Sequence, residues 1–184
     1  MKVEPLAIPE VILVTPQRFG DKRGFFSETW NQARFAAAGI PGPFIQDNHS
    51  LSEKRGTLRG LHCQIGDSAQ GKLVRVLKGS IWDVAVDARR GSPTFGKHVA
   101  AVLSAENWSQ LWVPVGFLHG FVTLEPDTEV QYKVTGGYYD TKAERGVTWN
   151  DPDLALPWPV DPAEVLVSDK DAKLPRLAEC DPWY

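Results

Sequence analysis

Residues 46–64, QDNHSLSEKRGTLRGLHCQ, concentrate groups that hold and move protons: His49 and His62, the acids Asp47 and Glu53, and the cations Lys54, Arg55 and Arg59. A polar cluster feeding an apolar, strand-like segment is more than a solvated loop requires, so the stretch reads as one wall of an active site. His62, behind Leu58 and Leu61, has two readings: a hydrogen-bonded core or rim histidine, or a general base. The second needs a carboxylate that fixes the tautomer and stabilises the protonated ring. Asp169 and Asp171, in SDKD at 168–171, supply one if the tail of the chain returns to the centre. Strict alternation puts Arg59 and His62 on opposite faces of a strand, so both reach one cavity only through a bulge or a twist. Tyr132 shares a face with Val130 and Val134; packed there it is core, and on a cavity it can protonate a carbanion or enolate. Tyr138 and Tyr139 follow a GG turn and suit either base stacking or turn packing. Arg23, Arg59 and Lys72 match phosphate oxygens in charge and geometry, although each alone also reads as a solvated surface charge.

Other chemistries lose support. Neither GSPTFG (91–96) nor GDSAQGK (66–72) fits a Walker or GxGxxG loop, which argues against nucleoside triphosphate hydrolysis and dinucleotide binding. PVGFLHG (114–120) looks like the second cupin motif, PxGxxH, but the first motif reads HCQ, with Gln64 where a second histidine would stand. Three protein ligands are hard to assemble around His119. The expectation is a metal-free, cofactor-free cupin barrel whose catalysis falls on His, Tyr and Asp.

The elements that must position these groups are short. Gly (16) and Pro (14) are spread along the chain, and the apolar runs between them suit strands joined by turns. The spacing predicts strands at 11–14, 25–30, 57–63, 72–79, 80–88, 98–104, 109–115, 119–124 and 128–134. Asn31 caps a short helix through Ala38, ended by Gly39 and Pro41. No interval carries a long amphipathic helix, which excludes doubly wound and (β/α)₈ folds and leaves a sandwich, jelly roll or closed barrel. From Val147 the chain is rich in Pro and Asp, with Trp149 and Trp158 as apolar anchors; it cannot form a regular sheet and is expected to wrap around the barrel. One domain spanning 1–184 is the economical reading. The net charge of −3 gives no footprint for nucleic acid, so an anionic ligand must be met by a local cluster of cations. Cys63 and Cys180 have no ligand spacing, and neither a signal peptide nor a membrane span is read, so a reducing, cytoplasmic setting is expected.

Taken together, DKRGFFSETW (21–30), QDNHS (46–50), LRGLHCQ (58–64), QGKLVRVLKG (70–79), DVAVDARRGSPTFG (83–96), LSAENWSQLWVPVGFLHGF (103–121), QYKVTGGYY (131–139), TWNDP (148–152) and SDKDAKLP (168–175) resemble the dTDP-4-dehydrorhamnose 3,5-epimerase family across nearly the whole chain. The resemblance implies a mainly β, cupin-type jelly roll with a few short helices and a wrapping C-terminal tail. It implies a dTDP-4-keto-6-deoxysugar substrate, with His62 as base, Asp171 as its carboxylate partner and Tyr132 as acid. It places Arg59 and His119 near the sugar keto oxygen, and Arg23, Gln46, Asn48, Lys72 and Tyr138 at the diphosphate and thymidine, with Phe26 and Glu28 also in contact with substrate. It further implies a homodimer in which Arg23 acts across the interface. Cys63 stands where the family commonly carries an aromatic residue. A single-centre epimerase, a metal-dependent cupin and a non-enzymatic sugar-binding cupin are the competing readings, and proton exchange separates the last from an enzyme.

Overall fold

The computed structural model describes all of residues 1–184, and the strand order explains how distant residues meet. The elements are β1 (Lys2–Pro5), β2 (Ile12–Thr15), β3 (Phe19–Asp21), β4 (Gly24–Phe26), α1 (Gln32–Ala37), β5 (Phe44–Ser52), β6 (Leu58–Gln64), β7 (Gln70–Lys78), β8 (Ser80–Asp87), β9 (His98–Ser104), β10 (Gln110–Val113), β11 (Phe117–Thr123), β12 (Thr128–Gly136) and β13 (Glu144–Gly146). One sheet runs β1-β2-β10-β7-β12-β5 and a second runs β13-β6-β11-β8-β9, with β3 and β4 forming a separate hairpin. Every strand pair is antiparallel, so no crossover helix is needed. The two large sheets face each other as a cupin-type jelly roll.

Alternation sets what each face does. Val74 and Val76 of β7 join Leu111 and Val130 of their own sheet and Ile81, Leu103 and Phe121 of the other in the core between the sheets. Leu73, pointing the other way, packs with Trp112, Ile12 and Val14 under Phe35 of α1. The helix starts where Asn31 accepts the Arg34 N–H at 3.2 Å, as its cap chemistry predicts. On the outside of the second sheet, Leu61, Val84, Val86 and Leu118 are buried with Leu154 and Leu177 of the tail. Each such side chain contributes about 1.5–3 kcal/mol when removed from water, so the tail is an integral layer rather than an appendage. It contains no strand, only 3₁₀ turns and one parallel bridge, Thr57 to Leu166. Trp158 is among its anchors, set edge-on to Trp82 at 4.9 Å.

One strand boundary needs correction, and one condition set by the sequence is met. The strand foreseen at 25–30 stops at Phe26. Beyond it, side chains replace the ladder: Ser27 Oγ donates to Gln17 O at 2.8 Å, and Gln110 Nε2 donates to Thr29 O at 2.8 Å. Alternation along 57–63 is broken, as a cavity shared by Arg59 and His62 requires. His62 pairs with His119 while Arg59 pairs with Phe121, three steps on β6 against two on β11, which is a bulge. Gly60 makes it: its φ is +100°, and a Cβ there would lie 2.5 Å from His119 O. Gly60→Ala should therefore lower the urea midpoint at unchanged m-value, by about 1–3 kcal/mol for the backbone conformation alone and more for a backbone clash that no rotamer relieves. A wild-type midpoint for this variant would show that glycine does not fix the bulge.

Candidate active site

The bulge turns both Arg59 and His62 toward a cavity of about 650 Å³ between the sheets, where β5, β7 and β12 face β6 and β11. A smaller hollow of about 330 Å³ shares Asn48, His62, Lys72 and Tyr132 with it. Here the tail delivers its acid. Asp171, buried, sits with Oδ1 2.8 Å from His62 Nε2, and its Oδ2 accepts the Gly60 N–H at 3.3 Å. Asp169, the other carboxylate considered, is exposed. Burial works against the charge on Asp171, but the His62 ring, the Gly60 N–H and Ser168 outweigh it and hold the carboxyl below its usual range. With the Nε2 proton committed to Asp171, the free lone pair of neutral His62 is on Nδ1.

Tyr132 approaches from the facing sheet, on β12 beside Asn48 of β5. Burial raises its phenol above the ordinary value, against an opposing pull from Arg59. The group therefore keeps its proton at neutral pH and is suited to donate it. Lys72 lies 6.0 Å from the Tyr132 ring centroid, with its ammonium pKa lowered by burial. The buried His119, opposite His62 in register, donates Nε2–H to Asp83 Oδ1 at 2.7 Å, while Asp83 Oδ2 has no partner. Arg59 donates to Leu51 O at 3.2 Å and to Ser52 Oγ at 3.4 Å, which fixes its guanidinium in the wall. Arg59, Lys72 and His119 thus line the cavity that separates His62 from Tyr132. The Arg59 and Lys72 N–H groups are preorganised donors of the kind that stabilise negative charge developing on an oxygen. No group of three or more His, Cys, Asp or Glu side chains is placed to hold a metal.

Of the other residues singled out by sequence, Asn48 lines both hollows and Gln46 lines the smaller one, where Gln46 Nε2 donates to Asn48 Oδ1 at 3.0 Å. Arg23, Phe26 and Glu28 do not line this chain's cavity. Arg23 is exposed and paired with Asp21 at 2.6 Å, Phe26 is exposed on the hairpin, and Glu28 holds Arg34 at 3.0 Å. Tyr138 is 73% exposed and outside both hollows; its neighbour Tyr139 lines the smaller one instead. Cys63 faces the buried layer under the tail, and burial pushes its thiol up to about 12, which leaves it unreactive.

Sequence reasoning missed Glu144. Its Oε1 lies 3.7 Å from His62 Nδ1 and accepts from Lys170 at 2.5 Å, and its Oε2 accepts from Tyr139 at 2.5 Å. Burial opposes its charge, but Lys170 and Tyr139 hold its carboxyl below the usual range. The bond to Glu144 in turn pushes the Tyr139 phenol up to about 12. No pattern in the sequence marks Glu144. Asp83 did have a signal, an acid set among the apolar residues of SIWDVAVDA.

The depressed carboxyls predict a pH dependence. A carboxylate whose folded pKa is lowered adds stability that is fully present above the unfolded value, about 4. That stability is lost as pH falls through the folded value. Asp171→Asn removes one such group, so its unfolding free energy should change less with pH below about pH 4 than that of the wild type. Urea unfolding from pH 7 down to pH 3 checks this; parallel curves would mean that the His62–Asp171 bond carries no linked stability.

The comparisons with known proteins agree with the geometry. The family model described as dTDP-4-dehydrorhamnose 3,5-epimerase matches residues 5–179. The dTDP-4-dehydrorhamnose 3,5-epimerase of Pseudomonas aeruginosa is 53% identical over 182 residues, 98% of either chain. The crystal structure of the enzyme of that name from Elizabethkingia anophelis superposes with a TM-score of 0.92 at 42% identity, over 97% of each chain. The dTDP-6-deoxy-D-glucose-3,5-epimerase of Legionella pneumophila, solved in complex with dTDP-4-keto-L-rhamnose, gives 0.92 at 44% identity, over 98% of this chain and 94% of that one. With its jelly roll, its bulged histidine strand and a match across the chain, this protein belongs to the dTDP-4-dehydrorhamnose 3,5-epimerase family.

Proposed function

We infer that residues 1–184 act as one cofactor-independent epimerase domain that converts dTDP-4-dehydro-6-deoxy-D-glucose to dTDP-4-dehydro-L-rhamnose. The observation that carries this reading is that a carboxylate-held His62 and a half-buried Tyr132 that keeps its proton line one cavity from facing sheets. The 4-keto group acidifies the hydrogens at C3 and C5. His62 Nδ1 takes the proton, the C–H electron pair moves into the ring to form an enolate, and Arg59 and Lys72 donate to the charge on its oxygen, with His119 beside it. Tyr132 returns a proton from the other face, which inverts the carbon. Solvent then reprotonates the phenolate and accepts the His62 proton, so neither electrons nor protons are gained overall. A second cycle inverts the other carbon.

Arg59 and Lys72 also meet the diphosphate, with Asn48 and Gln46 toward the nucleoside. The exposed phenylalanines of the β3–β4 hairpin support a homodimer in which Arg23, Phe26 and Glu28 reach the partner's substrate. A cytoplasmic setting belongs to the same reading, and no helix is long and apolar enough to cross a membrane.

The test is NMR of the substrate with the protein in deuterium oxide, following C3 and C5 separately. Deuterium at both carbons, with the product reduced by a downstream 4-ketoreductase to dTDP-L-rhamnose, is the expected result. Exchange and inversion at one carbon would reassign the protein as a single-centre epimerase, and no exchange would leave a binding protein.

A further inference from the structure

The β3–β4 hairpin hydrogen-bonds to neither large sheet, and its Phe19 and Phe26 are 57% and 71% exposed. Something other than a β-ladder must fix its direction. Both of its stems are tied to one short loop between β9 and β10, and the centre of that junction is Trp108. Arg18, just before β3, lies 4.2 Å from the Phe25 ring centroid and 4.7 Å from that of Trp108, and donates to Glu106 O at 3.3 Å. Phe25 meets Trp108 edge-on at 4.9 Å. Just past β4, Ser27 Oγ accepts the Trp108 Nε1–H at 3.0 Å. Arg75 of β7 reaches over the same indole at 4.9 Å. Cation–π and edge-on aromatic contacts of this geometry are attractive and directional.

The backbone under this side chain is unusual. Trp108 has φ of 62°, a left-handed conformation that bulky residues seldom adopt. Asn107 Oδ1 accepts the N–H groups of Ser104 and Ser109 at 3.1 and 3.0 Å, which sets the turn. The indole belongs to none of the buried core clusters. A large ring kept at a strained position, outside the core and bonded to both stems of a projecting hairpin, serves the hairpin.

We propose that Trp108 is a positioning residue, which sets the direction in which the hairpin carries Arg23 and Phe26 to the substrate held by a second copy of the chain. This rests on the reading of Arg23 as a group acting across a homodimer interface. Arg23 lies between β3 and β4, at the tip, so a small rotation at the stems gives the largest displacement there. The His62 and Tyr132 geometry is untouched, so the effect falls on substrate affinity rather than on the chemical step.

Steady-state kinetics of the full chain with dTDP-4-dehydro-6-deoxy-D-glucose, beside sedimentation velocity, test this. Trp108→Gly is the variant of choice, because glycine takes a positive φ without strain. It should raise KM about tenfold and leave kcat within about twofold, the signature of lost uniform binding. Trp108→Phe, which keeps a ring for Arg18 and Phe25, should restore most of the affinity. Arg23→Ala is measured in parallel and should raise KM by itself. If Arg23→Ala raises KM but Trp108→Gly does not, or if Trp108→Gly lowers kcat alone, the proposal is overturned and the cross-subunit reading stands. If Arg23→Ala leaves KM unchanged, or the wild type is a fully active monomer, that reading falls and the proposal falls with it. Should Trp108→Gly fail to fold, Ser27→Ala replaces it; a smaller rise in KM supports the proposal and an unchanged KM overturns it.

Discussion

His62→Ala should abolish deuterium uptake at both C3 and C5 while the protein still folds and binds dTDP. One base serves both carbons in this reading: of the three histidines lining the cavity, His62 alone is bonded to the returning tail, while His119 is bonded to Asp83 and His49 to Glu129. A positioned general base contributes about 10²–10⁴ in rate, and without it the enolate does not form, so exchange and inversion vanish together. The fold should survive. Asp171 loses its strongest partner, at a cost of about 1–3 kcal/mol for a buried acceptor left underused, but it keeps the Gly60 N–H and is free to take up a proton. Substrate NMR in deuterium oxide and calorimetric titration with dTDP give the two readouts. Exchange retained at either carbon would remove His62 as the common base.

Tyr132→Phe separates the two halves of the reaction. The change deletes one hydroxyl and keeps the ring that packs against the core between the sheets. Proton removal by His62 should persist in reduced form, since the enolate still meets the Arg59 and Lys72 donors. Return of the proton from the opposite face should fall by about 10²–10⁴. The expected result is deuterium washing in with retained configuration and little L-configured product. Equal losses of exchange and inversion would show that the phenol acts before or within proton removal and is not the acid of the second step.

How much of this was legible in the sequence depended on what each residue faces. The strand at 98–104 was read residue for residue, because its apolar run is bounded by a turn-forming GSPTFG segment. β5 was not read as a strand, although its residues were read as a wall of the site. Asn48 and Ser50 are half-buried at the cavity while Asp47 and His49 are exposed, so neither side of the strand is apolar and the alternation that marks strands is missing. His62, Tyr132 and Asp171 were named together through the family resemblance, whereas the bulge that turns Arg59 and His62 to one cavity was stated only as a condition. Nothing in the local sequence singled out Gly60, since the need for it comes from His119 O on a strand far along the chain. Glu144 lay beyond reach for the same reason: its importance is a matter of proximity to His62 and Lys170, not of pattern. The choice between Tyr138 and Tyr139 turned on the exit angle of a GG turn, which residue types do not encode.

The bond between His62 and Asp171 joins positions 109 residues apart, and its acidic half arrives on a segment with no strand of its own. Closing so long a loop has an entropic cost, which the packing of the tail on the outer face of the second sheet offsets. Turnover in this protein therefore depends on the docked tail, and it reports on the integrity of that layer as well as on the residues that touch the sugar.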